Sequence, residues 1–199
     1  MLPSSSSTSQ ILVTGPPGIG KTTLIRKVVE NLAQNRSDLV YSGFFTREIR
    51  DEKTNQRTGF EIVSLPDESR VAPLATVASP GGSTAKLPRV GKYSVMVREF
   101  ESVALPIFSK PNANLDILVI DEIGKMESFS RNFNSAFADW LKQSKRPTLL
   151  ATIPISKGGP TLPFVENLRT AEGSVIVTVD RNNRDSLVDY VMNILLKVK

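Results

Sequence analysis

Two short stretches of this 199-residue chain carry residue types and spacings suited to chemistry on phosphates: Gly15-Pro16-Pro17-Gly18-Ile19-Gly20-Lys21-Thr22 and Asp121-Glu122. The first fits the pattern G-x-x-x-x-G-K-[ST]. Its glycines let backbone amides curl around phosphate oxygens without a clashing Cβ. A helix that starts there points its positive end at the same anion. Lys21 can reach the β- and γ-phosphates, and the Thr22 hydroxyl can coordinate Mg²⁺. The candidate nucleotide-binding set runs from Gly15 through Thr23. In the second stretch, Asp121 can support Mg²⁺ directly or through water. Glu122, next on the chain, is placed to take a proton from an attacking water. Lys125, three residues on, can offset charge on a transferring phosphoryl group, and it equally suits a solvated loop.

The composition leaves little room for other chemistries. The chain has no Cys and no His. Disulfides, a thiol nucleophile, a Ser–His–Asp triad, imidazole acid–base work and the usual structural zinc site are therefore excluded. What remains is carboxylate, amine, guanidinium, hydroxyl, backbone amide and a hard cation held by oxygen. The net charge of +5 favours anionic ligands and allows nucleic acid without requiring it. Apolar residues make up 40% of the chain, enough for a proper core, but no apolar run approaches the length of a membrane span. Residues 1–9 are Ser-rich, without the apolar stretch of a secretion signal, and are expected to be a disordered leader on a cytoplasmic protein with possible nuclear access.

The elements that must position these residues follow from hydrophobic periodicity. Ile11-Leu12-Val13 is a short strand leading into the glycine-rich loop. Leu24, Ile25, Val28, Val29 and Leu32 then recur at helical spacing. Leu115–Ile120 is a second apolar strand, ending at Asp121. Thr148–Ile153 and Val175–Val179 complete a set of four apolar strands without polar alternation, as expected for a sheet buried on both faces. Phe129, Phe133, Ala136, Phe137, Trp140 and Leu141 form a helical stripe, read as core packing. Leu187, Val188, Val191, Ile194 and Leu195 mark a terminal helix. Between them, residues 41–97 are β-like and more antiparallel in character, with loop and at most short strands expected over the Pro- and Gly-rich stretch 66–89. Phe100, Val103, Ala104 and Ile107 suggest a helix, which Pro106 should stop or kink. The expected fold is α/β: a three-layer P-loop sandwich with a mainly parallel sheet, a single domain over 10–199, and an antiparallel insertion after the first helix.

Several longer motifs stand in a specific order. They are Gly15–Ile25, Gly43-Phe-Phe-Thr-Arg-Glu-Ile-Arg50, Gly59–Val63, Arg89-Val-Gly-Lys-Tyr93, Val119-Ile-Asp-Glu-Ile-Gly-Lys-Met-Glu127, Thr152-Ile-Pro154 and Asn183-Arg184. On these residues the chain resembles the cancer-related nucleoside-triphosphatase family, small P-loop proteins related to RecA-like and AAA+ ATPases. The resemblance covers about residues 10–198. It implies Mg²⁺-dependent hydrolysis of nucleoside triphosphates, ATP and GTP among them, to the diphosphate and phosphate, with weak discrimination between bases. It also implies roles for particular residues. One of Arg47, Arg50 and Arg89 would act as an internal arginine finger, with Arg89 favoured by its neighbours Gly91 and Tyr93. Thr152 would position the water or the γ-phosphate. Asn183 and Arg184 would lie against the base, Arg184 stacking through its guanidinium plane.

Two other function classes use the same loop. A small-molecule or nucleoside kinase would carry an Arg-bearing lid late in the chain. The loop between Pro154 and Pro163 instead holds only Lys157. A nucleotide-dependent switch would bind nucleic acid or a protein partner and be stimulated by it. With no helical extension suited to ring assembly, a monomer is expected.

Overall fold

The computed structural model describes residues 8–77, 87–109, 114–156 and 162–197. The expected leader at 1–9 lies outside these apart from Thr8 and Ser9. The fold is mixed α/β. In chain order the elements are β1 (Gln10–Thr14), α1 (Lys21–Asn35), β2 (Tyr41–Arg50), β3 (Arg57–Leu65), β4 (Val71–Val77), β5 (Arg89–Val90), β6 (Tyr93–Val95), α2 (Val97–Ala104), α3 (Pro106–Ser109), β7 (Ile117–Ile120), α4 (Arg131–Leu141), β8 (Thr148–Thr152), α5 (Pro163–Thr170), β9 (Ser174–Thr178) and α6 (Leu187–Leu195). They fall into two units. The first comprises Met1–Tyr41, Asn112–Gly124 and Pro147–Lys199; the second comprises Ser42–Pro111 and Lys125–Arg146.

In the first unit the strands run in the order β7-β8-β1-β9, and every pairing is parallel. Each residue of β1, β7 and β8 is buried, as apolar strands without alternation should be. β9 departs from that expectation. It pairs only with β1 and forms the outer edge of this sheet, so Ile176 is 40% exposed. The helix α1 turns Leu24, Ile25, Val28, Val29 and Leu32 inward and packs against β8 and α6. Because all four strands point the same way, the loops after β1, β7, β8 and β9 emerge at one edge of the sheet, where ligands of parallel sheets bind.

The second unit is an antiparallel sheet in the order β5-β6-β4-β3-β2. The stretch 66–89, expected to be loop with at most short strands, contains the seven-residue strand β4. Pro73 sits opposite Glu61, next to a register shift at Phe60/Glu61, where a missing ladder donor is tolerated. The segment 78–86 lies outside the described residues. The β-like segment 41–97 is joined in this unit by α2, α3 and α4. The helix α2 ends at Ala104, and a new one starts with Pro106 in its first position, where no amide donor is missed. The aromatic stripe of α4 is core: Phe133 lies 5.2–6.1 Å, centroid to centroid, from Phe44, Phe100, Phe108 and Phe137. Beyond it, Phe137 stacks on Trp140, and the Arg146 guanidinium caps the indole at 5.0 Å.

Candidate active site

The site is built on the edge of the parallel sheet in the first unit. β1 delivers the chain to Gly15, whose φ of +153° suits glycine. A Cβ there would come within 2.7 Å of the Val179 carbonyl oxygen, so the loop root accepts no side chain. The loop turns through an Ile19 amide to Pro16 carbonyl bond of 3.3 Å and ends at Gly20, whose φ of +111° is again a glycine conformation. Gly20 is the N-cap of α1. It makes no side-chain capping bond, and the first turn holds no acidic residue. The first amides of this 15-residue helix therefore have no capping acceptor and carry the positive end of the helix dipole. Pro16, Pro17 and Gly18 are exposed, as a loop that admits a solvated ligand should be.

Lys21 lies over this loop. Its Nζ donates to the Gly15 carbonyl at 3.2 Å and stands 3.7 Å from Glu122 Oε2. The lysine side chain is 11% exposed and that of Glu122 34%. Burial pushes the Glu122 carboxyl above its usual range; the Lys21 charge and hydrogen bond oppose this, and the Asp121 charge adds to it. The result is a carboxylate more basic than an ordinary Glu, facing the cation of the phosphate loop.

The strand register fixes Asp121. β7 pairs with β8 from Ile117↔Thr148 to Ile120↔Ala151, so the next pair along is Asp121 and Thr152. The two are buried, and the Thr152 hydroxyl donates to Asp121 Oδ1. The Ile123 amide returns to the Thr152 carbonyl at 2.9 Å. The Thr152 side chain is fully buried, and its bond to Asp121 orients that carboxylate. Sequence reading missed this pairing because it depends on register between strands 31 residues apart.

In the loop after β9, Asn183 has a structural role. Asn183 Oδ1 accepts from the Asp180 amide and its Nδ2 donates to the Thr178 carbonyl, each at 2.9 Å. Both ends of the amide thus help to shape the turn. Arg184, beside it, is exposed, with only a 4.0 Å approach to Asp185. The loop is tied to the phosphate loop at its root: the Val179 amide donates to the Thr14 carbonyl at 2.8 Å.

Lys125 and Arg89 belong to the second unit, and both are exposed. Arg89 sits in β5, opposite Ser94. Arg47 and Arg50 are held by carboxylates, Arg47 by Glu61 and Arg50 by Glu48, each at 2.5 Å. Among the described residues, Arg89 is the member of the three that makes no ion pair.

Comparison with known proteins gives the family and the fold. A family model described as NTPase matches residues 10–192. A nucleoside-triphosphatase THEP1 of Aquifex aeolicus is 35% identical over 191 residues, covering 94% of this chain and 98% of that protein. The human cancer-related nucleoside-triphosphatase is 37% identical over 186 residues, covering 92% and 94%. Among solved structures, the crystal structure of the Aquifex aeolicus THEP1 superposes with a TM-score of 0.74 at 31% identity, covering 94% of this chain and 98% of that one. The solution structure of a human cancer-related nucleoside triphosphatase gives 0.77 at 34% identity, covering 96% and 98%.

Proposed function

The chain belongs to the NTPase family, and from that membership we propose that it is a hydrolase that cleaves nucleoside triphosphates to the diphosphate and inorganic phosphate. The observation that carries this reading is Lys21, which stands over an uncapped helix N-terminus and beside a carboxylate of raised basicity. The loop amides and Lys21 bind the β- and γ-phosphate oxygens, with the amine leaving its resting partners Gly15 and Glu122. Glu122 accepts the proton of the attacking water. The water oxygen bonds to the γ-phosphorus, the β–γ bridging bond breaks on the opposite side, and the diphosphate leaves. Lys125 and Arg89 are the cations proposed to offset charge on the transferred group.

The donors present also fit Mg²⁺. Thr22 offers a hydroxyl and Asp121 a carboxylate held in place by Thr152; both are oxygens of the kind a small hard cation takes. Among the described residues no cluster of three or more carboxylates competes for it. One protein carboxylate with substrate phosphates and water is the usual Mg²⁺ arrangement. When bound, the ion neutralises charge on the β- and γ-oxygens. Base tolerance would come from Arg184, whose planar guanidinium stacks on any base without reading its edge. The protein is proposed to act in the cytoplasm; among the described residues no helix is long and apolar enough to cross a membrane.

The direct test is product analysis with ATP, GTP, CTP and UTP, with and without Mg²⁺ and with no phosphoryl acceptor present. Diphosphate and phosphate should appear from all four. Glu122→Gln should lower kcat by roughly 10²–10⁴-fold while nucleotide still binds, the usual worth of a general base. Lys21→Ala should abolish turnover. Transfer of the γ-phosphate to an added nucleoside far faster than hydrolysis would make the protein a kinase instead.

A further inference from the structure

Arg169, in the last turn of α5, reaches the ends of two neighbouring strands. Its Nη2 donates to the Pro154 carbonyl and, at 3.3 Å, to Thr14 Oγ1. Thr14 Oγ1 in turn donates to the same carbonyl at 3.2 Å. Glu166, one helical turn earlier, holds the guanidinium with its Oε1 3.5 Å from Nε. The arginine side chain is only 14% exposed. A charged side chain this sequestered is costly unless it is bonded, and here its Nη2 is bonded at the ends of both strands, to a hydroxyl and to a backbone carbonyl. Thr14 is the last residue of β1, directly before Gly15. Pro154 lies two residues past Thr152, the partner of Asp121.

From this geometry we infer that Arg169 is a positioning residue for hydrolysis, fixing the root of the phosphate loop against the strand end that orients Asp121. The inference rests on the hydrolase reading above. The loop holds the substrate, and Asp121 with Glu122 belongs to the attacking side of the reaction. The rate of the chemical step depends on how well those two halves are aligned. The arginine Nη2 ties both acceptors to α5 at once, which the single Thr14–Pro154 bond cannot do. That bond survives without the arginine, so the strands remain joined and only their alignment loosens. The loop amides and Lys21 stay as they are, and ground-state binding of nucleotide is preserved.

Arg169→Met tests this by keeping the aliphatic stem and removing the donors. The expected result is a kcat lower by about 10- to 100-fold, the range found when a reacting geometry is displaced by about 1 Å. KM and the affinity for a fluorescent nucleoside diphosphate should stay within about threefold of wild type, a split that separates transition-state from ground-state effects. Arg169 and Thr14 should also be coupled. Once Thr14→Val is present, Arg169→Met should cost less than it does in the wild-type background. Glu166→Gln leaves the Nη2 bonds to both acceptors in place and should stay within about twofold in kcat. A kcat for Arg169→Met within about twofold of wild type would overturn the inference. So would parallel loss of kcat and nucleotide affinity with the folded fraction, or effects of the two substitutions that simply add. If the wild-type protein releases no phosphate from any triphosphate, the hydrolase reading itself falls. Active wild type with an indifferent Arg169→Met removes only the positioning role.

Discussion

Lys21 Nζ stands 3.7 Å from Glu122 Oε2, so the cation of the phosphate loop and the candidate base are partners before any nucleotide arrives. Burial nonetheless leaves the Glu122 carboxyl above its ordinary value of 4.5, with Lys21 restraining the rise and Asp121 adding to it. A base must be ionised to work. The acid limb of kcat/KM, which reports the free enzyme, should therefore be centred above 4.5. A limb at or below that value would remove Glu122 from the role. The same shift has a consequence for stability. A carboxyl raised in the folded state stabilises the fold below its unfolded pKa, and that contribution is lost as pH rises through the folded pKa. Glu122→Gln should then raise the Tm of the nucleotide-free protein near pH 8, and the gain should vanish near pH 4, where wild-type Glu122 is itself neutral. Thermal unfolding of both proteins at the two pH values checks the sign.

Thr152→Val removes the hydroxyl that holds Asp121 and keeps the shape of the side chain. The hydrogen bond is fully buried and charge-assisted, so its loss should cost about 1.5–3 kcal/mol of unfolding free energy. If Asp121 supports Mg²⁺, the concentration of Mg²⁺ for half-maximal turnover should also rise by about 10- to 100-fold, as when an outer partner of a metal ligand is lost. Thr152→Ser keeps the donor and should stay close to wild type. An unchanged Mg²⁺ requirement in Thr152→Val would separate Asp121 from the metal.

Phe133 is the centre of the aromatic core of the second unit, in ring contact with Phe44, Phe100, Phe108 and Phe137. Phe133→Ala should cost about 3–5 kcal/mol, the range for a large side chain lost from a packed core. Urea unfolding measures it. A cost near 1 kcal/mol would mean that the neighbouring rings close over the gap.

The two stretches that carry the chemistry were legible because each is local. A strand, a glycine loop and a helix follow one another over residues 10–35, and Asp121-Glu122 ends an apolar run. The apolar runs also located the parallel strands. The errors arise where distant segments meet. β9 reads like its neighbours, yet it is partly exposed because, among the described residues, it is the edge strand of the parallel sheet. The strand β4 was hidden by Pro73, which is tolerated beside a register shift that no local pattern announces. The helix α4 stands with the antiparallel strands although β7, a strand of the first unit, comes between α3 and α4 in the chain. Thr152, Asn183 and Arg169 took their roles from partners 31, 5 and 155 residues away. Only the short turn at Asp180–Asn183 had a signal in the sequence, since Asp and Asn at that spacing favour side-chain bonds to nearby amides.

Arg184 and Asn183 are neighbours with separable effects. The Asn183 amide is spent on the Asp180 and Thr178 backbone, while the Arg184 guanidinium is exposed and only loosely approached by Asp185. If Arg184 stacks on the base, its plane meets the π-face that all bases share and ignores the edges that distinguish them. Arg184→Ala should then raise KM for ATP, GTP, CTP and UTP by one common factor of about two to five, the equivalent of roughly 0.5–1 kcal/mol for an exposed cation–π contact. Because a stacking contact holds substrate and transition state alike, kcat should not change. Arg184→Lys should not restore the contact fully, since an ammonium has no plane to stack. Asn183→Ala acts differently: it releases the Thr178 and Asp180 bonds, loosens the turn, and should lower Tm as well as raise KM. Steady-state kinetics on the four triphosphates, with a thermal melt of each variant, separate the two. A rise in KM confined to one base after Arg184→Ala would mean that this loop reads a base edge, and broad tolerance would then have to come from elsewhere.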